Sequence, residues 1–328
     1  MKARRIVAIL APLLLVTTAA GLCFGSTRFS MDQLLAALAG TGEESIRLIL
    51  WKIRLPRVAA GILAGVGLST AGVLLQCVTA NELASPNIIG INSGAGLAVI
   101  LMLTAAPAAG KLLPLGAFAG ALLASMVILL AAGRLGSSRT GILLIGIAIT
   151  TILNAAISFL SLLDEGVLAQ YNYFTVGSLR GVRMDDLMVP AVIIFVSLAL
   201  AMALSGRLGV LCMGDAAASA LGIRVKRLRF QAMACAAACA AAVVSFAGLL
   251  GFVGLVVPHI AGGLTGQRPS KMLPVAALVG PVIVVLADLL GRTLFAPSEL
   301  PVGILMSLIG APYFLILLCR RKYHAELS

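Results

Sequence analysis

Few side chains in this sequence could do chemistry, and those few stand apart from one another. Asp288 is the one carboxylate deep in an apolar stretch, and a carboxylate inside a membrane segment marks a functional site by default. Arg292 follows it at i+4, so an ion pair along one helix face is the simpler account. His259 follows Pro258 and is the only histidine outside the C-terminal tail. A lone histidine there is more often a hydrogen-bonded structural group than a ligand or proton carrier. Cys235 and Cys239 share a helix face at i,i+4, but no histidine or carboxylate joins them, so they read as small buried side chains. Arg54 and Arg57 flank Leu55-Pro56 just before an apolar run. They either anchor a helix start at the interface or await an acidic partner.

The missing chemistry is as informative. The nearest approach to a phosphate-binding G-x-x-x-x-G-K-[ST] loop, residues 105–111, lacks the first glycine and is followed by Leu112. No H-E-x-x-H and no G-x-S-x-G occurs. The chain therefore reads as no enzyme, with no catalytic residues, no metal site and no resident cofactor. A single deep carboxylate also suits ion-coupled transport poorly, since such transporters use ionisable relays or broken-helix ion sites.

The elements that must position these residues are spans. The 328 residues are 61% hydrophobic and 11% charged, against roughly 25% charged in a soluble domain. Mean hydropathy is +1.11. Uncharged runs occupy 6–25, 58–81, 112–133, 141–163, 187–206 and 230–266, with shorter ones at 273–287 and 301–319. A spanning helix needs about 20 apolar residues, so 230–266 must fold back, near Gly248-Leu249-Leu250-Gly251. Residues 87–106 add a further span broken by glycines. The expectation is an all-α polytopic membrane protein of about ten transmembrane helices. It forms a single domain over 1–328, with no room for a separate soluble domain. The first apolar stretch reads as a retained signal-anchor rather than a cleaved signal peptide.

Ten crossings from a cytoplasmic N-terminus put both termini in the cytoplasm. More than half of the 24 Lys and Arg residues then lie on that side, against Glu82, Asp215 and Glu326. This follows the positive-inside rule. The net charge of +12 is therefore a matter of topology, and no nucleic-acid partner is implied.

Between the spans, residues 26–57 form the longest polar connection, with Met31 to Leu38 as a short surface helix capped by Ser30. Gly61 and Gly65 make a G-x-x-x-G pair, followed by Gly72, for close helix packing. Pro86 and the glycines at 90, 94 and 96 suggest an irregular re-entry. Residues 171–179 are an aromatic-rich outer loop, read as an interfacial belt or as a pore rim. In the loop of about 207–229, Asp215 can start and Gly222 can end a short helix. That helix is either a linker or a docking knob. Pro258 inside an apolar helix favours a kink or a half-helix.

In order and spacing, these pieces resemble the permease subunits of type II ATP-binding-cassette (ABC) importers, the FecCD/BtuC-like family for iron–siderophores, haem and vitamin B12. The resemblance rests on Arg54-Leu55-Pro56-Arg57, the glycine-rich helix to Gln76, 81–86, Gly90 to Gly96 and Gly177-Ser178-Leu179. It continues through 214–222, 251–260, Leu273-Pro274, Ala287-Asp288, Arg292, 299–303 and Gly310-Ala311-Pro312, covering the chain from about residue 50 onward. It implies a BtuC-like permease fold in the bacterial cytoplasmic (inner) membrane. The implied partners are a cytoplasmic ABC ATPase, an extracytoplasmic substrate-binding protein and a second permease copy or paralogue. The cargo would be a metal chelate, a ferric siderophore first, and an ion-coupled secondary transporter is the alternative. By resemblance, Arg54, Arg57 and Arg292 receive glutamates of the binding protein. Gly214, Asp215, Ala216, Ala217, Ser219, Leu221 and Gly222 couple to the ATPase. Gly61, Gly65, Gly72, Pro258, His259 and Asp288 serve packing and kinks. Residues 149–161 and 302–312 border the path. The sequence departs from the family at Ala80 (commonly arginine), Glu82 (proline), Gly262 (arginine) and Phe174 (tryptophan).

Overall fold

A chain this apolar has to satisfy its backbone hydrogen bonds within each segment, and helices do that in lipid. The computed structural model describes residues 2–25, 27, 29–135 and 139–325. Their helices are α1 (Lys2–Cys23), α2 (Met31–Leu38), α3 (Glu44–Ile49), α4 (Leu55–Thr79), α5 (Ile91–Ala105), α6 (Leu113–Leu135) and α7 (Arg139–Ser161). They continue as α8 (Glu165–Val176), α9 (Met184–Leu211), α10 (Asp215–Ala220), α11 (Val225–Ala247), α12 (Val253–Thr265), α13 (Pro269–Thr293) and α14 (Val302–Ala325). No strand occurs among the described residues.

Among those residues, seven helical runs are long and apolar enough to span a bilayer, and α5, α12 and the 302–316 part of α14 are shorter apolar helices. The 230–266 run divides as expected, between α11 and α12, with Gly248 at φ +67° ending α11. One expectation needs correction. The glycines of 87–106 do not break the helix: α5 is continuous, and Gly94 instead lets its backbone meet that of Gly120 on α6. The irregular part comes before it, as turns at 80–85 and a 3₁₀ turn over Pro86–Ile89.

The centre of the molecule is α4. Its run is 89% buried, against 17% for α7, and α13, α11, α12 and α9 surround it. Glycines set how closely these helices approach. A Cβ on Gly65 would overlap the Gly280 and Pro281 backbone of α13, and one on Gly72 would overlap the Gly254 carbonyl of α12. Pro258 has no N–H to donate to the Gly254 carbonyl four residues earlier, and that carbonyl is the atom that meets Gly72. Pro258 remains inside α12, which is a half-length helix of 13 residues.

α4 also begins earlier than its apolar run. The helical run is unbroken over Glu44–Thr79, through Pro56. A π turn over Leu50–Arg54, with the Leu55 amide donating to Leu50 O, widens the backbone just where proline would clash with the preceding turn. α2 has the expected bounds, with Ser30 and Gln33 forming a reciprocal capping box. It packs Leu34 and Ala37 against Leu50 and Cys23.

Candidate functional site

Charged side chains gather at both ends of α9. At its Met184 end, α4 and α13 bring together Arg57, Asp288 and Arg292, all buried. Arg57 Nε donates to both Asp288 carboxylate oxygens at 3.0 Å, and its Nη1 donates to Glu299 Oε2 at 2.8 Å. Arg292 Nε stands 3.7 Å from Asp288 Oδ2, and its Nη2 donates to the Gly21 carbonyl. The i,i+4 pair expected from sequence is thus the weaker contact. Asp288 is held mainly by Arg57, 231 residues away in the chain.

Arg54 is buried beside them. Its Nη1 donates to the carbonyls of Leu22 (2.6 Å) and Cys23 (2.7 Å), and its Nη2 donates to Thr27 O and, at 2.9 Å, to Thr27 Oγ1. Its guanidinium lies 3.8 Å over the Phe29 ring, a cation–π contact. The π turn that leads into α4 leaves both arginines buried.

These residues border one cleft of about 310 Å³, whose walls carry Lys52, Arg54, Arg57, Arg180, Arg292 and Glu299. Five cations face one carboxylate, so the cleft favours an anion. A neighbouring cleft of about 390 Å³ shares Arg57, Arg180 and Glu299 and adds Asn172, Tyr173 and Pro301. The aromatic loop is helix α8, N-capped by Asp164. On that helix, burial pushes the Tyr171 phenol above its ordinary pKa. Sequence reasoning singled out Arg54, Arg57 and Arg292 and missed Lys52, Arg180 and Glu299. Arg180 directly follows Gly177-Ser178-Leu179, and Glu299 opens the 299–303 motif, so the motifs themselves were the available signal.

At the Leu211 end of α9, the six residues of α10 stand between Gly214 (φ +127°) and Gly222 (φ +76°). Those backbone angles favour glycine. Asp215 opens the helix, but its carboxylate does not cap it. Its two oxygens accept from Nη2 of buried Arg229, at 2.7 and 2.9 Å, which ties α10 to α11. Ala218 is buried, whereas Met213, Ala216, Ser219 and Leu221 are exposed. His259 Nδ1 is 3.8 Å from Glu82 Oε2, and its ring meets Tyr313 edge-on at 6.2 Å.

Known proteins match this arrangement along the chain. The FecCD transport family matches residues 13–320. The Fe(3+)-citrate import system permease protein YfmE of Bacillus subtilis is 37% identical, over 94% of this chain and 93% of its own. The hemin transport system permease protein HmuU of Yersinia pestis is 36% identical, over 83% and 84%. A solved structure described as an inward-facing conformation of a metal-chelate type ABC transporter superposes with a TM-score of 0.86 at 28% identity, covering 97% of this chain and 99% of that one. With its apolar helices and its match over nearly its whole length, this multi-pass membrane protein belongs to the FecCD transport family.

Proposed function

We propose that this chain is the membrane-spanning subunit of an ABC importer for a metal chelate, a ferric siderophore first, with haem and cobalamin as the other cargoes. It pairs with a second copy or a paralogue, and a separate cytoplasmic ATPase drives it between outward and inward access. In this reading it crosses the cytoplasmic membrane ten times with both termini inside, and it carries out no covalent chemistry itself. The chelate class draws support from the relatives' names, which include Fe(3+)-citrate, hemin and cobalamin import permeases.

The observation that carries the reading is α10. A short helix set off by two positive-φ glycines, anchored by Arg229 and tipped with exposed Met213 and Leu221, has the form of a knob for a cleft in a soluble partner. Movement of that knob reaches α11 through the Asp215–Arg229 pair, and α11 packs on α4, α6 and α9. At the other end, the cationic cleft suits the glutamates of a substrate-binding protein. Because Arg54, Arg57 and Arg292 already hold partners within the chain, exposed Lys52 and Arg180 meet an incoming carboxylate first, and the buried arginines supply field behind them. The stretches 149–161 and 302–312 leave Ile152, Phe159, Leu308 and Ile309 exposed, as a path along a dimer axis requires.

The test is purification in mild detergent after expression with the native neighbours, followed by mass spectrometry of what co-elutes. A stoichiometric P-loop ATPase, lost when 215–221 is replaced by a Gly-Ser linker, is the expected result. A chain that elutes alone, and whose transport follows an ion gradient without ATP, overturns the reading.

A further inference from the structure

Behind α10 lies a cavity of about 490 Å³ that shares Leu221 and Gly222 with the coupling loop and adds arginines that the importer reading does not use. Arg207 reaches it from the end of α9, Arg224 from the turn before α11, and Arg227 and Gln231 from the first turns of α11, with Leu221 and Ile223 closing the α10 side. None of the three arginines forms an ion pair within the described residues, although Arg229 two residues on is paired with Asp215. Three guanidiniums around one space leave charge that no ion pair among the described residues neutralises. Their planar forks match the oxygens of a phosphate or a carboxylate.

The surroundings point to where that phosphate comes from. α9 leads to Arg207 with an exposed apolar face: Met188, Val189, Val192, Phe195, Val196 and Leu200. Phe230 is exposed beside Arg229. The cavity therefore sits where a lipid-facing helix surface ends, with a place for acyl chains below it and cationic forks above. Basic pockets at the ends of membrane helices hold anionic headgroups in just this manner.

We propose that Arg207, Arg224 and Arg227 form a specific site for the phosphodiester headgroup of an anionic phospholipid, packed against α10.

Native mass spectrometry of the full chain, purified in mild detergent and offered equal phosphatidylglycerol and phosphatidylethanolamine, tests this. The chain is read without its ATPase, so the outcome is independent of the importer reading. The expected result is one tightly retained phosphatidylglycerol per chain, in preference to phosphatidylethanolamine. The triple variant Arg207→Gln, Arg224→Gln, Arg227→Gln should loosen it by about 100-fold, at roughly fivefold per arginine. Lys111→Gln should leave it unchanged. If the triple variant does not elute as a single species, the wild-type chain decides: retention should fall as salt rises. Equal retention of both lipids, retention indifferent to salt or to the three arginines, or displacement of the lipid by inorganic phosphate where sodium chloride of equal ionic strength leaves it bound would each overturn the proposal.

Discussion

At one end of α9 the charges are sealed in, and at the other they are left half open. Arg57 and Asp288 have side chains 7% and 5% exposed, and they join α4 to α13. Arg229 is as buried, at 4%, but its partner Asp215 is 47% exposed. A buried pair with both members enclosed acts as a staple, because neither charge can turn to water if the other leaves. A pair with one wet member can exchange its carboxylate for solvent at modest cost and so allows movement. The same residue types therefore make a fixed joint at one end and a yielding one at the other.

The most severe way to break this contrast is to remove the carboxylate from the staple. Asp288→Ala leaves two buried guanidiniums facing each other and should cost about 3–5 kcal/mol, read as a large loss of thermal stability in detergent. Replacing the pair by apolar residues of similar volume, Arg57→Met with Asp288→Leu, should recover part of that loss, since Arg292 and Glu299 still lose their partners. A double variant as unstable as Asp288→Ala would show that the charges do more than hold the helices.

Next in size are the glycine contacts. Gly65→Ala pushes a methyl into the α13 backbone and should cost about 1–3 kcal/mol. Gly206→Ala on α9, where nothing lies within 4 Å, should be neutral or stabilising by up to about 1 kcal/mol. The difference between their melting temperatures is the measurement, and equal shifts would contradict the packing of α4.

Asp215→Asn is gentler on the fold, at about 1–2 kcal/mol, because the position is already half in water. Under the proposed importer function, its larger effect should fall on the link between ATP hydrolysis and chelate uptake in vesicles, with hydrolysis kept and uptake reduced. Smallest is Ser30→Ala, about 1 kcal/mol and confined to α2, read as faster amide hydrogen exchange over 31–38.

How legible these regions were depends on whether their chemistry is local. α2 has its expected bounds because Ser30 and Gln33 cap it within one turn. Gly214 and Gly222 mark out α10 in the same way, since a positive φ is written into the residue type. The family motifs led to Arg54, Arg57 and Arg292, which the fold gathers around one cleft. What could not be read is what depends on distant pairing. Nothing near Asp288 announces Arg57, so the neighbour at i+4 took its place. Pro56 looked like a helix start because a π turn that absorbs it leaves no mark in composition. The glycines of α5 looked like breaks because the sequence does not say that Gly120 stands opposite Gly94.

The glycine contacts of α4 carry a mechanical consequence. Where Gly65 lies on Gly280 and Pro281, and Gly72 on the Gly254 carbonyl, no side chain stands between the backbones to change rotamer. Such a bearing has a single setting: it carries load without slip. α4, α12 and α13 are thereby locked to one another. Any shift of one of these helices is then a shift of all three, whereas at 214–222 an added Cβ on either Gly214 or Gly222 would meet nothing within 4 Å.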